Sequence, residues 1–101
     1  MIGVIVSLGP SDQLDHARAS AVAEKAAPMF EGMAGLRSKA FMWDEETSTV
    51  TNVYVWESEQ AARAFFTPDV VAQVTELYGA EPRVKFTEVS ELVDNGVAVG
   101  A

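Results

Sequence analysis

Gly35-Leu-Arg-Ser-Lys-Ala-Phe-Met-Trp43, Asp44-Glu-Glu-Thr-Ser48, Thr49-Val-Thr-Asn-Val-Tyr-Val-Trp56 and Ser58-Glu-Gln-Ala-Ala-Arg-Ala-Phe-Phe66 form the stretch that decides how this chain folds. Leu36–Trp43 and Thr49–Trp56 are rich in β-branched and aromatic residues and bracket a polar turn, which predicts a β-hairpin. Ser58 then caps a helix on which Glu59 and Arg63, four apart, can pair on the exposed face.

Working outward toward the N-terminus, Ile2–Leu8 is an apolar run stopped by Gly9-Pro10 and reads as a strand buried on both faces. Ser11 or Asp12 is the expected cap of a helix running to about Ala27. His16, Ala19, Ala23, Ala26 and Phe30 recur at steps of three and four, along one helix face. Pro28 is expected to kink that helix or to open a short final turn, because it has no N–H to donate.

Toward the C-terminus, Thr67-Pro68-Asp69 supplies a cap, a first-turn proline and a first-turn acid. Val70, Val71, Val74, Leu77 and Tyr78 follow as an apolar stripe until Gly79 ends the helix. Arg83–Val93 reads as a last strand longer than the usual 5 to 6 residues or so, reaching beyond its own sheet. Residues 1–93 are expected to form one domain, and 94–101 a loose tail.

The order β-α-β-β-α-(α)-β predicts an α+β fold of the ferredoxin-like βαββαβ kind, an antiparallel sheet with its helices on one face. Such helices leave the other face bare. Gly3, Ile5 and Ser7 alternate with Val4, Val6 and Leu8, and Thr51, Val53 and Val55 alternate with Asn52, Tyr54 and Trp56, so neither face is a charged solvent face. A homodimer burying sheet against sheet is the expected remedy, with the long last strand crossing to the partner.

Composition narrows the function. Seven basic against fifteen acidic residues give a formal charge of -8, which repels phosphate backbones and anionic lipid surfaces, so neither nucleic acid nor membrane is an expected partner. No run approaches the roughly 20 apolar residues of a membrane span. The absence of cysteine removes disulfides, thiolate metal sites and thiol nucleophiles, and a single histidine with scattered carboxylates has no ligand spacing, so no metal is expected. Met1-Ile2-Gly3-Val4 enters a strand without a basic, cleavable leader, and a cytoplasmic location is the default expectation.

Gly35-Leu36, Lys39, Phe41, the acidic turn, Val53-Tyr54-Val55-Trp56, Ser58 and Ala61-Ala62 together resemble the YdhR-like monooxygenase-type proteins of the dimeric α+β barrel superfamily, related to the antibiotic biosynthesis monooxygenases. The resemblance spans roughly Ile2 to Asp94. Phe41 stands where a Trp is usual in that group, and Thr51-Asn52 where a Gly-Gly pair is usual. The resemblance implies a dimeric barrel with an apolar pocket between sheet and helices, holding a flat aromatic, quinol, quinone-like or polyketide-like molecule. It also implies oxidation by molecular oxygen with no flavin, haem or metal cofactor, the deprotonated substrate supplying the electrons. That chemistry needs a base or an oxyanion-stabilising donor in a dry aromatic cavity.

His16, Asn52 and Tyr54 are the candidates for the catalytic roles. His16 is the only imidazole, the side-chain type best suited to passing a proton, whereas the plainer reading is a half-exposed histidine at a helix start. Asn52 interrupts an apolar strand, either to orient a ligand oxygen or to satisfy a local backbone irregularity. Tyr54 offers a hydroxyl to a phenolate or quinone oxygen. Phe41, Trp43, Trp56 and Phe65 are candidates to stack on a flat substrate, and the competing role of such rings is core packing. Lys39 either pairs with an anionic substrate or snorkels to solvent along the sheet. The same pocket would also serve a non-redox polyketide cyclase or isomerase, or a non-catalytic dimeric binding protein.

Overall fold

The computed structural model describes residues 1–96. Seven elements follow one another: β1 (Ile2–Leu8), α1 (His16–Phe30), β2 (Leu36–Asp44), β3 (Thr49–Trp56), α2 (Glu59–Phe65), α3 (Pro68–Tyr78) and β4 (Arg83–Glu88). The sheet order is β2-β3-β1-β4 and every neighbouring pair is antiparallel. This is the ferredoxin-like α+β fold expected from the element order.

Period two sorts the strand residues. Val4, Val6 and Leu8 on β1 and Val50, Asn52, Tyr54 and Trp56 on β3 are all buried beneath Ala19 of α1, Ala62 of α2 and Tyr78 of α3. On the opposite side of the same strands Gly3 and Val55 are buried while Ile5, Ser7, Thr51 and Val53 stay half-buried, so the helices cover β1 on one face and not on both as its apolar run suggested. Ala40 and Met42 of β2 extend that uncovered side and are exposed.

Helix ends follow local hydrogen bonding. The Asp15 carboxylate accepts from the Arg18 N–H at 2.8 Å, so α1 begins three or four residues later than Ser11 or Asp12 would have it. The reason is Leu14, which is 4 % exposed: residues 11–14 form a turn that tucks this side chain into the core, and the Ser11 hydroxyl instead donates to the Gly79 carbonyl at 3.1 Å. Pro28 lies inside the last turn, and the helix continues to Phe30 rather than stopping near Ala27. Ser58 and Thr67 cap α2 and α3 through their side chains, and Gly79 closes α3 at φ 71°.

The last strand is shorter than expected, ending at Glu88 and not at Val93. Glu88 faces Ile2, and the Val89 N–H reaches the Met1 carbonyl at 3.3 Å, the last contact between β4 and β1 at this end. Of the expected tail 94–101, residues 97–101 lie outside the described residues. Among the described residues no helix is long and apolar enough to cross a membrane.

Candidate functional site

One irregularity in β2 prepares the site. Its register against β3 shifts between Leu36 and Ser38, a bulge that brings Leu36 to the same side as Lys39, Phe41 and Trp43. Beyond the bulge Lys39 lies opposite Tyr54, Phe41 opposite Asn52 and Trp43 opposite Val50. The hairpin turn that follows is fixed by the Asp44 carboxylate, which accepts from the Glu46 and Thr47 N–H groups at 3.0 and 3.3 Å.

Three hollows open on this part of the helix-covered face, one of them an outer groove of about 390 Å³ bordered by Phe30, Glu31, Arg37 and Lys39. An inner cavity of about 120 Å³ lies between α1, α3 and the sheet, with Phe30, Lys39, Tyr54, Phe65 and Val74 among its walls. An outer cleft of about 450 Å³ is bounded by His16, Ala19, Trp43, Glu45 and Val50. Phe41, Asn52 and Tyr78 belong to both cavity and cleft. These two hollows therefore meet at the Asn52–Tyr78 pair.

Asn52 is 2 % exposed, and its Nδ2 donates to the Tyr78 hydroxyl at 3.2 Å. Its Oδ1 is buried with no hydrogen-bond partner among the described residues, an arrangement that normally costs about 1 to 3 kcal/mol. A ligand O–H or N–H would remove that cost. Burial pushes the Tyr54 phenol upward, reinforced by the nearby Tyr78, and burial likewise raises Tyr78 against the opposing hydrogen bond from Asn52. Both phenols therefore keep their protons at neutral pH and are donors.

Lys39 is the one cation in the inner cavity. Its Nζ sits 3.5 Å from the Phe30 ring centroid, 4.1 Å from Phe41 and 4.3 Å from Tyr54, a three-sided aromatic cage. Burial lowers its pKa from 10.5 to about 7. At neutral pH the amine is thus divided between its charged and neutral forms.

The structure separates the three residues singled out for catalysis. Tyr54 borders the inner cavity, His16 the outer cleft, and Asn52 joins the two. His16 is exposed and stacks on Trp43 with ring centroids 5.9 Å apart and planes within 4°, and the Trp43 N–H donates to Glu45 Oε2 at 3.1 Å. These rings form a wall of the cleft. Phe41 and Phe65 reach the inner cavity, whereas Trp56 packs behind Tyr54 in the core and borders none of the three hollows.

Tyr78 is the residue that sequence reasoning missed. It passed as the last member of an apolar stripe, since nothing in a helical periodicity separates a tyrosine that fills space from one whose hydroxyl is bonded. The signal available was its place immediately before Gly79, on the helix that must cover a strand carrying an asparagine.

No protein-family model matches the chain, and no curated protein does. Solved structures do match. A candidate antibiotic biosynthesis monooxygenase of Deinococcus radiodurans superposes with a TM-score of 0.66 at 12 % identity, over 93 % of this chain and 97 % of that one. The monooxygenase ActVA-Orf6 of Streptomyces coelicolor, solved in complex with the ligand nanaomycin D, gives 0.66 at 20 % identity, covering 91 % and 89 %. SnoaB, a cofactor-independent oxygenase of Streptomyces nogalater, gives 0.65 at 15 % identity, covering 91 % and 95 %. At these identities the likeness establishes the fold. The chain has the ferredoxin-like α+β architecture of the antibiotic biosynthesis monooxygenase structures.

Proposed function

We propose that this protein is a cofactor-independent monooxygenase of the YdhR-like kind, oxidising a flat aromatic, quinol or polyketide-like molecule with molecular oxygen. The observation that carries the reading is the Oδ1 of Asn52, buried between two hollows without a partner among the described residues, with the Tyr78 hydroxyl on the same amide and Tyr54 on the wall of the inner cavity. A phenolic or enolic ligand answers each group: its O–H donates to Asn52 Oδ1, and after ionisation its oxygen accepts from a tyrosine O–H. A proton held on Tyr54 or Tyr78 is then aimed at charge that develops during the reaction.

The overall chemistry balances without a further reductant. A CH₂ flanked by two aromatic rings becomes C=O, one oxygen atom of O₂ enters the product, the other leaves as water, and the ligand supplies all four electrons. Similarity in fold to SnoaB supports this class of reaction. The Gly35-Leu36, Lys39 and Val53-Tyr54-Val55-Trp56 pattern supports the YdhR-like placement.

A second copy covering the bare sheet face completes the reading. Ile5, Val53, Ala40 and Met42 present apolar surface there that a lone chain leaves to water. Sedimentation is expected to give a dimer. A folded monomer at micromolar concentration would count against this assembly.

The test of activity is oxygen uptake with a panel of anthrones and quinols, with label from ¹⁸O₂ followed into the product. One labelled atom per product is expected. Turnover without oxygen uptake would replace oxygenation by cyclisation or isomerisation, and binding of the panel without any turnover would leave a binding protein.

A further inference from the structure

We infer that Lys39 is the base that ionises the ligand, its neutral amine taking a proton from a phenol, enol or doubly activated CH group held in the inner cavity beside Phe30, Phe41 and Tyr54. This rests on reading the cavity as a site for an aromatic ligand. In the step the O–H or C–H bond breaks, its electron pair stays on the ligand as an oxyanion or enolate, and the proton becomes the third hydrogen on Nζ.

The placement is built by the fold. The bulge between Leu36 and Ser38 puts Lys39 on the helix-covered face opposite Tyr54, where an aliphatic side chain would complete the core. Its amine instead ends among three ring faces, and among the described residues it has neither an ion-pair partner nor a hydrogen-bond partner. A lysine serving only as a surface charge would place Nζ in water.

The surroundings suit both ends of a proton transfer. The amine shares its cavity with Tyr54 from β3 and Tyr78 from α3, while α1 and α2 contribute the apolar Phe30 and Phe65. On its outer side Lys39 also borders the groove of about 390 Å³, where Glu31, just after α1, and Arg37, on its own strand, are the charged neighbours. No carboxylate pairs with the amine to hold it permanently charged, and burial favours the neutral, proton-accepting form. Once protonated, Nζ lies against three negative ring faces and beside the anion it has made, so the product of the transfer is stabilised where it forms. The Tyr54 and Tyr78 hydroxyls do not compete as bases, since burial holds their protons on.

The test uses the intact protein and 2-naphthol, a weakly acidic two-ring phenol whose absorbance reports its ionisation. At about pH 8, above the pH at which Lys39 gives up its proton and where free naphthol is neutral, the bound naphthol is expected to show the anion band. Calorimetry in two buffers of different ionisation enthalpy should find close to no proton released per ligand, because the proton stays on Nζ. With Lys39→Gln the bound naphthol should remain neutral. In anthrone turnover Lys39→Arg, which keeps a charge but cannot accept a proton, should lose roughly 100-fold or more in kcat and the acid-side limb of its pH profile.

A neutral band in the wild type, an anion band surviving in Lys39→Gln, or one proton released per ligand would each overturn the inference, the last by showing a lysine that is already charged. Should the variants fold poorly, the wild-type band and the ¹³Cε titration of Lys39 beside Lys25 and Lys85 still decide it: a Lys39 signal that titrates with the other two sinks the proposal. Naphtholate formation together with no oxygen uptake from the anthrone and quinol panel would remove the oxygenase reading and leave the base in place. Failure of naphthol to bind at all would remove the aromatic-ligand reading and the inference with it.

Discussion

Two ends of one face of β3 are equally buried and differently built. At one end Trp56, 1 % exposed, lies against Phe65, Tyr54 and Phe66 with ring centroids 5.3 to 6.2 Å away. At the other end Asn52, 2 % exposed, stands between two hollows. Each end carries one buried polar atom with no partner among the described residues, Trp56 Nε1 and Asn52 Oδ1. Burial and an unpaired atom therefore do not by themselves mark a site. What differs is the space beside that atom: two hollows border Asn52, whereas the Trp56 N–H is a cost that the packing of the ring outweighs.

The largest effect expected from this contrast is on the filled end. Trp56→Ala should destabilise the fold by about 3 to 5 kcal/mol, the usual cost of hollowing a packed aromatic core, and should leave little folded protein at ambient temperature. Denaturant unfolding measures it. A loss below about 1 kcal/mol would mean that the Trp56 end tolerates space as the Asn52 end does, and the contrast would collapse.

Next in size comes the hollow end. Tyr54→Phe keeps the ring, and with it the contacts to Trp56, Phe65 and Phe66, but removes the hydroxyl. Affinity for a phenolic ligand or its turnover should fall by an amount equivalent to about 1 to 3 kcal/mol, with the melting temperature little changed. Wild-type binding together with a large drop in melting temperature would assign Tyr54 to the core and sharpen the boundary between the ends by one residue.

Much of this architecture was legible in the sequence, and the reason is periodicity. Alternation along Thr49–Trp56 places Asn52, Tyr54 and Trp56 on one face, and caps at Ser58, Thr67 and Gly79 bound the helices, because these signals are local. What stayed hidden depends on contacts between distant residues. The start of α1 at Asp15 is set by Leu14 entering the core, and the length of β4 by its pairing with β1, which ends at Ile2 opposite Glu88. That Trp56 fills space and Asn52 borders it depends on how α2 and α3 lie over β3, which a period of two does not contain. The Asn52–Tyr78 bond joins residues 26 apart in sequence and has no local signature.

The smallest expected effect tests whether the hollow end is dry enough to hold its lysine partly uncharged. Burial lowers the pKa of Lys39 from 10.5 to about 7 in the folded chain. Between those values the unfolded chain carries a proton that the folded one lacks, so this group makes stability rise with pH across that window. Below about 7 both states are charged and the folded one bears the full cost of the buried ammonium; above about 10.5 neither is charged and the cost is gone. Lys39→Met removes the titrating group. Near pH 6 the variant should exceed the wild type by a pH-dependent increment of about 1 kcal/mol, reduced from what full burial would give by the solvent and ring faces around Nζ. For a domain of this size that is roughly 4 to 8 °C in melting temperature. The increment should shrink steadily from about pH 7 and be absent near pH 10.5, as paired thermal melts would show. A difference that stays flat with pH would mean that Nζ remains hydrated, and that the polar end of β3 is a surface groove and not a sheltered cavity.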